Sequence, residues 1–460
     1  MAKKGLFKTE FVGATQISDP EALFRDLRGR SPEIRHLWSH QADVLRAYHK
    51  EFRTAKDVAI ELPTGAGKTL VGLLIAEYRR LVLKERVAYL CPTRQLARQV
   101  SSQASKYGIK AHVFTGKQRE YSPSEFSQFQ AAQAIAVTTY SSIFNSNPRI
   151  RDAQTLILDD AHASESYIAS MWSVEIPRAT DAYLYSSLVN LLREGLPAAF
   201  FADISSDKEK KTSSVELVPG KYVRQYARAV SELFDANLGE QTPAIYAWAL
   251  IKEHLSACNI FISWDYILIR PFVPPSLTHD AFSQALQRVY MSATLGAGGE
   301  LERITGVRSI KRLPLPEGWH DRGSGRRLFL VPQISMSDQS SLSVATDAIE
   351  SFDRSLILAP TQGEVESFKT SLKGMGLRVL GAADIEDTLE PFSGSTRAAL
   401  ILSRYDGLDL PDEACRLLIL AGLPAGTNLQ EKFLWSRIAA SSLLRDRILT
   451  RFTQGVGRCT

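Results

Sequence analysis

The chain of 460 residues has only four cysteines, Cys91, Cys258, Cys415 and Cys459, far apart and with neither a CxxC pair nor a histidine at ligand spacing. That scarcity excludes a disulfide framework and leaves no ligand set for zinc or an iron–sulfur cluster, so the thiols read as reduced and mostly buried. No stretch reaches the ~18–20 uninterrupted apolar residues of a membrane span. The opening MAKKGLFKTEFVGATQ also lacks the apolar run of a signal peptide. The expected location is the cytoplasm, with no membrane partner. An internal repeat and a long low-complexity tract are both missing, which argues against stacked-repeat and fibrous classes. Charge of one sign is barely in excess: the net charge is +5 and the isoelectric point about 8.9. Such a balance permits a polyanionic partner without requiring one.

What is present belongs to a globular protein, with 44% apolar and 23% charged residues. At ~150 residues per domain the length suggests two or three domains. DVAIEL (57–62) is a short apolar run that leads into PTGAGKT and then the helical pattern LVGLLIAEYRRLVL, which reads as strand, Gly-rich turn, helix. Similar runs follow at RVAYLCP (86–92), QAIAVTTY (133–140), TLILDD (155–160) and RVYMSAT (288–294), with helix-compatible stretches between most of them, so the implied sheet is parallel. After the Gly/Pro/Arg-rich 313–327 a second series begins, with RLFLVP, SLILAP, AALILS and CRLLILAGLP as strand candidates. Between TLILDD and RVYMSAT lie helix-like, aromatic-bearing runs around the polar stretch SSDKEKKTSS, which reads as a solvated loop in an insertion.

In PTGAGKT, Gly65 and Gly67 let backbone N–H groups turn inward to cradle phosphates at a helix N-terminus. Lys68 reaches the β/γ-phosphates and Thr69 offers a hydroxyl to Mg²⁺. The strict pattern has Gly where this chain has Pro63. In LILDDAH, Asp159 ends an apolar strand where a carboxylate could hold Mg²⁺, and Asp160 stands where a second could orient the attacking water; two adjacent acids after a strand also suit a plain turn.

PTGAGKT, CPTRQLARQ, LDDAH, MSATL, DGLDLP and QGVGR occur in this order and resemble the successive motifs of superfamily 2 helicases. The closest branch is the XPD/DinG group, which SRYDGLDLPDEACRLLILAGLP, SATLGAGGELERITG and QGVGR resemble and which also carries a large domain between its Walker B and SAT motifs. The resemblance implies an α/β protein with two RecA-like P-loop lobes of parallel sheet and a helical insertion in the first lobe. It implies ATP and Mg²⁺ as cofactors, with Pro63, Thr64, Gly65, Ala66, Gly67, Lys68 and Thr69 around the phosphates and Asp159 on the metal. Gln41 would read the adenine edge, Asp409 would join the lobes around ATP, and Gln454 and Arg458 would face the γ-phosphate. Thr93, Arg94 and Thr139 would hold strand phosphates, while Ser292 and Thr294 would couple the nucleotide site to the strand-binding face.

The expected layout is an extension at 1–30, lobe 1 at 31–164 and 287–312, a mainly helical insertion at 165–286, a hinge at 313–327 and lobe 2 at 328–460. The expected activity is ATP hydrolysis coupled to movement along single-stranded DNA, with RNA as the other candidate strand and protein partners reached through the insertion or through chain beyond residue 460. Two other readings stay open: an ATP-gated nucleic-acid clamp that recruits partners, and an ATPase that remodels protein complexes. Three departures bear on these expectations. Asp160 stands where the branch has Glu, the branch's four-cysteine cluster is missing, and the final arginine of QxxGRxxR would follow Thr460. The last departure leads to the expectation of a chain cut within this motif that hydrolyses ATP poorly. In SSLLRDRILTRFTQGVGRCT, the apolar spacing of Leu444, Ile448, Leu449, Phe452 and Val456 predicts a helix packed on the second sheet.

Overall fold

The computed structural model describes residues 17–63, 65–206, 214–239, 242–295, 298–315, 328–335, 340–403, 410, 414–422, 428–438 and 441–456. In chain order the strands are Asp57–Glu61 (β1), Val87–Cys91 (β2), Ala111–Phe114 (β3), Ile135–Thr139 (β4) and Thr155–Leu158 (β5). Val174–Pro177 (β6), Glu216–Leu217 (β7), Cys258–Ile262 (β8) and Tyr266–Pro271 (β9) follow, then Gln287–Ser292 (β10) and Lys311–Arg312 (β11). The last four are Arg354–Leu358 (β12), Arg378–Leu380 (β13), Ala398–Leu402 (β14) and Leu417–Leu420 (β15).

Lobe 1 is a seven-stranded parallel sheet of order β11-β1-β10-β5-β2-β4-β3. Every residue of β2, β4, β5 and β10 is buried, which explains why these strands read as unbroken apolar runs: both faces of a parallel sheet are covered. Val58, Ile60, Tyr89, Ile157 and Met291 point into one core, while Ala59, Leu90, Leu158 and Tyr290 point into the other. The helix Lys68–Val82 lies on the first face, and Gly72 lets it approach closely: a Cβ there would meet Met291 Cε at 2.5 Å and Sδ at 2.8 Å.

The insertion is built from helices including Ala182–Leu191, Gly220–Asn237 and Pro243–Ile251, and its core is continuous with one face of the lobe 1 sheet. It also carries a sheet that reading it as mainly helical does not supply, ordered β6-β9-β8-β7 with antiparallel pairing. CNIFISWDYILIRP forms the central hairpin of that sheet, the bend falling at Ser263–Asp265. The apolar runs are short and interrupted by Trp264 and Asp265, so their alternation is brief.

Lobe 2 is a four-stranded parallel sheet, β13-β14-β12-β15. SLILAP, AALILS and CRLLILAGLP supply strands as expected; RLFLVP does not. Leu328 and Phe329 are 95% and 61% exposed, and Pro332, which has no N–H to give a ladder, instead begins the short helix Pro332–Ser335. The helix Ser441–Val456 forms, but Leu449 is 52% exposed, so the apolar face that its spacing suggests is not wholly turned inward. Its described side-chain contacts are Phe452 beside Phe329 and Arg451 on Glu431. No described helix is long and apolar enough to cross a membrane.

Candidate functional site

The turn after β1 is shaped by its glycines. Gly65 and Gly67 take φ of +80° and +74°, which side chains disfavour, and a Cβ on Gly67 would fall 2.1 Å from Gln41 Nε2. Two side chains of the helix Ser39–Ala47 hold the turn from outside. Gln41 Nε2 donates to the Ala66 carbonyl at 3.0 Å, and His40 Nε2 lies 3.0 Å from the same oxygen. Gln41 Oε1 accepts from the Trp38 N–H at 3.0 Å, leaving one N–H and one lone pair of the amide for a ligand. Lys68 follows as the first residue of its helix, with Thr69 next, so the positive N-terminal end of that helix borders the cradle.

At the end of β5, Asp159 and Asp160 flank the Lys68 ammonium. Nζ is 3.6 Å from Asp159 Oδ1 and donates to Asp160 Oδ1. Three groups fix Asp159: its N–H donates to Leu90 O at 3.0 Å, Tyr89 Oη donates to Oδ2 at 3.1 Å, and Tyr140 Oη donates to its carbonyl at 2.6 Å. Burial raises the Asp159 pKa; Lys68 opposes the rise and Asp160 adds to it. Burial likewise pushes the Tyr89 phenol and Cys91 thiol well up, with Asp159 reinforcing both shifts. Asp160 holds φ +49°, ψ +54°, a left-handed conformation costly for most residues but visited by Asp. That kink turns consecutive carboxylates onto the same lysine.

The neighbouring strand end is joined to this cluster. His162 Nδ1 lies 2.9 Å from Ser292 Oγ, and the Leu295 N–H donates to Glu61 Oε2 at 2.9 Å. The Thr294 N–H reaches Ser292 Oγ at 3.4 Å, while the Thr294 hydroxyl is buried with no hydrogen-bond partner among the described residues. His162, Tyr89 and Glu61 were not singled out by the sequence reading. His162 lay within LDDAH itself; Tyr89 and Glu61 had no signal beyond strand position.

The residues expected on the strand-binding face are already engaged. Thr93 Oγ1 caps the helix Arg94–Lys106 by accepting from Leu96 N at 3.2 Å. Thr139 Oγ1 lies 2.9 Å from Ser142 Oγ. Arg94 reaches across to lobe 2, where it meets Glu386 Oε1 at 3.1 Å, and Arg98 meets Asp387 Oδ1 at 2.9 Å. Thr64, Asp409 and Arg458 lie outside the described residues, as does the Gln454 side chain.

Residues 38–174 match the family model described as DEAD/DEAH box helicase. Residues 38–174 are thus similar to a DEAD/DEAH box helicase domain. Its fold is XPD-like: the chain resembles the solved structure of S. tokodaii Xpd4 with a TM-score of 0.51 at 15% identity, covering 92% of each chain. An apo XPD structure matches with a TM-score of 0.55 at 16% identity, over 91% of this chain and 92% of that one. Among curated proteins, this chain is 29% identical over 141 residues to reverse gyrase 2 of Aeropyrum pernix, covering 30% of this chain and 11% of that protein. It is 26% identical over 220 residues to reverse gyrase 1 of Aquifex aeolicus, covering 46% of this chain and 17% of that protein.

Proposed function

We propose that this helicase couples ATP hydrolysis to movement along a single nucleic-acid strand, with DNA favoured over RNA by the XPD/DinG resemblance. The observation that carries this reading is Lys68 poised between two carboxylates beside a glycine cradle. A lysine so placed has no packing purpose that an uncharged residue would not serve better, since buried ion pairs seldom stabilise more than apolar replacements do.

The cradle fits a triphosphate: Gly67 admits no side chain, and the Ala66 carbonyl is tied back by His40 and Gln41. On binding, Lys68 exchanges its Asp160 carboxylate for phosphate oxygens. That exchange leaves Asp160 able to orient the attacking water, one methylene shorter than Glu. Thr69 and Asp159 would hold Mg²⁺, which supplies charge neutralisation on the phosphates when bound. Asp409, Gln454 and Arg458 of lobe 2 would complete the site, and the remaining polar capacity of Gln41 suits an adenine edge. Ser292, held by His162, relays the state of Asp159–Asp160 to Thr294 and the strand face, where Thr93, Arg94 and Thr139 take phosphates.

The test is the rate of ATP hydrolysis with no polymer, single-stranded DNA, single-stranded RNA and duplex. Stimulation by a single strand is expected; a rate indifferent to every polymer would refute the reading.

A further inference from the structure

The short helix Glu300–Thr305 follows β10, and each of its three charged side chains reaches a different element. Glu302 holds the Arg312 guanidinium of β11 with both oxygens, at 2.8 and 2.9 Å, and its Oε2 also accepts from the Gly299 N–H at 3.0 Å. Arg303 Nη1 meets Glu165 Oε1 at 3.2 Å, on the helix Ser164–Ser170 that follows the Asp159–Asp160 turn. Leu301 is wholly buried in the lobe 1 core. Braced on these sides, the helix brings its remaining charge, Glu300 Oε2, to 4.0 Å from His162 Nε2. That is a distance for attraction between charge and dipole rather than for a hydrogen bond. An acid in a first helical turn is often explained by the helix dipole alone. Here Glu302 already serves the helix end, and the Glu300 side chain is only 19% exposed against an imidazole that is 5% exposed.

The second nitrogen of that imidazole, Nδ1, lies 2.9 Å from Ser292 Oγ. A neutral imidazole has one donor and one acceptor nitrogen, and which is which decides the direction of the serine bond. A carboxylate on the side of Nε2 favours the proton there, because the positive N–H end of the ring then faces negative charge. Nδ1 becomes the acceptor and the Ser292 hydroxyl the donor. The serine oxygen keeps a lone pair for the Thr294 N–H, which reaches it at 3.4 Å. With the proton on Nδ1 instead, an imidazole lone pair would face the Glu300 carboxylate and the serine bond would run the other way.

From this arrangement, and resting on the reading of His162 and Ser292 as the relay between nucleotide and strand, we infer that Glu300 is a positioning residue for that relay. Its carboxylate holds His162 in the Nε2–H tautomer and so fixes Ser292 as the donor toward the turn that carries Asp159 and Asp160. Glu300 acts through the ring and has no part in binding either ligand, so its loss disconnects the two sites without removing them.

The experiment has two readouts on the wild-type chain, Glu300→Ala and the milder Glu300→Gln, which keeps the volume and removes the charge; melting temperatures establish that the variants fold. The first is the tautomer of His162 in ¹⁵N-histidine-labelled protein at pH about 8, where an ordinary imidazole is neutral. Its signal is picked out from those of the eight histidines by its loss in His162→Asn. The wild type is expected in the Nε2–H form, Glu300→Ala as a mixture with a large Nδ1–H share, and Glu300→Gln between them. The second is the ratio of single-strand affinities with and without a non-hydrolysable ATP analogue, expected to be about 5-fold or more in the wild type and near one in Glu300→Ala, with each ligand's separate affinity within about twofold of the parent. A wild type in the Nδ1–H form, a tautomer unchanged in Glu300→Ala, or a coupling ratio in that variant equal to the parent's overturns the inference. A wild type whose strand affinity ignores nucleotide overturns the relay reading instead, and the tautomer then still decides whether Glu300 governs His162.

Discussion

Both lobes are built on parallel sheets, seven-stranded in lobe 1 and four-stranded in lobe 2, and they are secured differently. In lobe 1 all positions of β2, β4, β5 and β10 are buried between two apolar cores, and the Lys68–Asp159–Asp160 cluster lies at the ends of strands of that sheet. In lobe 2, β12 and β14 are similarly enclosed over most of their length, but the edge strand β15 is partly exposed at all four positions. Leu328, Phe329, Leu330 and Val331, which precede β12 in the chain, lie largely open and outside the sheet. The helix Ser441–Val456 is tied instead to Leu429–Ser436 through Arg451 and Glu431, 3.1 Å apart. Leu429 and Phe433 in turn pack with Val215, Phe261 and Leu268 of the insertion, and Arg437 pairs with Glu216. Lobe 1 is therefore a fixed platform, while the helix Ser441–Val456, proposed to face the γ-phosphate, is tied largely to the segment that packs on the insertion.

The sharpest way to break this contrast is to remove the platform's cation. Lys68→Ala should lower ATP hydrolysis by at least ~10²-fold, the scale of losing one group aimed at transition-state charge, while the melting temperature stays close to that of the parent. A folded variant with parental turnover would show that the fixed platform is not the nucleotide site.

Next in size is the tether. Glu431 is 2% exposed, and Glu431→Ala removes the buried carboxylate that Arg451 bonds and should cost ~1–3 kcal/mol in stability, read by denaturant titration. Because the loss falls on the link to the insertion, proteolysis should release the C-terminal helix before lobe 1. Simultaneous cleavage throughout would contradict the separate anchoring.

A smaller effect separates function from stability within lobe 1. The folded Asp159 has a raised pKa, so folding favours its protonated form, and its contribution to stability is present at low pH and lost as pH rises through the folded value. In the absence of nucleotide and metal, Asp159→Asn should therefore melt about 2–4 °C higher at neutral pH. That advantage should vanish on acidification through the carboxylate range. A pH-independent difference would remove the electrostatic explanation.

The smallest effect concerns how the lobes meet. Arg94–Glu386 and Arg98–Asp387 are exposed pairs worth ~0.2–1 kcal/mol each; Glu386 occupies Arg94, proposed as a strand-phosphate contact, and Asp387 occupies Arg98 one helical turn further on. Glu386→Gln with Asp387→Asn should raise single-strand affinity about threefold at low salt, less at high salt. Unchanged affinity would mean that these arginines lie off the strand path.

How much of this was legible follows from where the information sits. DVAIEL, RVAYLCP and TLILDD announced buried parallel strands, and PTGAGKT and LDDAH marked the two halves of the cluster, because a phosphate cradle needs glycine at fixed positions in the chain. Tyr89 was not legible: its bond to Asp159 joins neighbouring strands through the register of β2 and β5, and nothing in VAYLC distinguishes a tyrosine that bonds a carboxylate from one that fills space. Nor could RLFLVP be told from a strand, since its composition suits one and only the absence of a partner edge decides. The antiparallel hairpin of the insertion was missed because Trp264 and Asp265 break a pattern already short. Thr93 shows another limit: its motif is legible, whereas the cap its hydroxyl gives to Leu96 N is not.

The central claim is that nucleotide at Lys68 and strand at the β2–β4 ends belong to one coupled site. Strand affinity measured by anisotropy without nucleotide, with ADP and with a non-hydrolysable ATP analogue tests it most directly, because coupling between two ligands must appear in either one's affinity. The account predicts that strand affinity changes about 5-fold or more between these states and that Lys68→Ala erases the difference; identical strand affinity in all three states of the wild-type chain would contradict it.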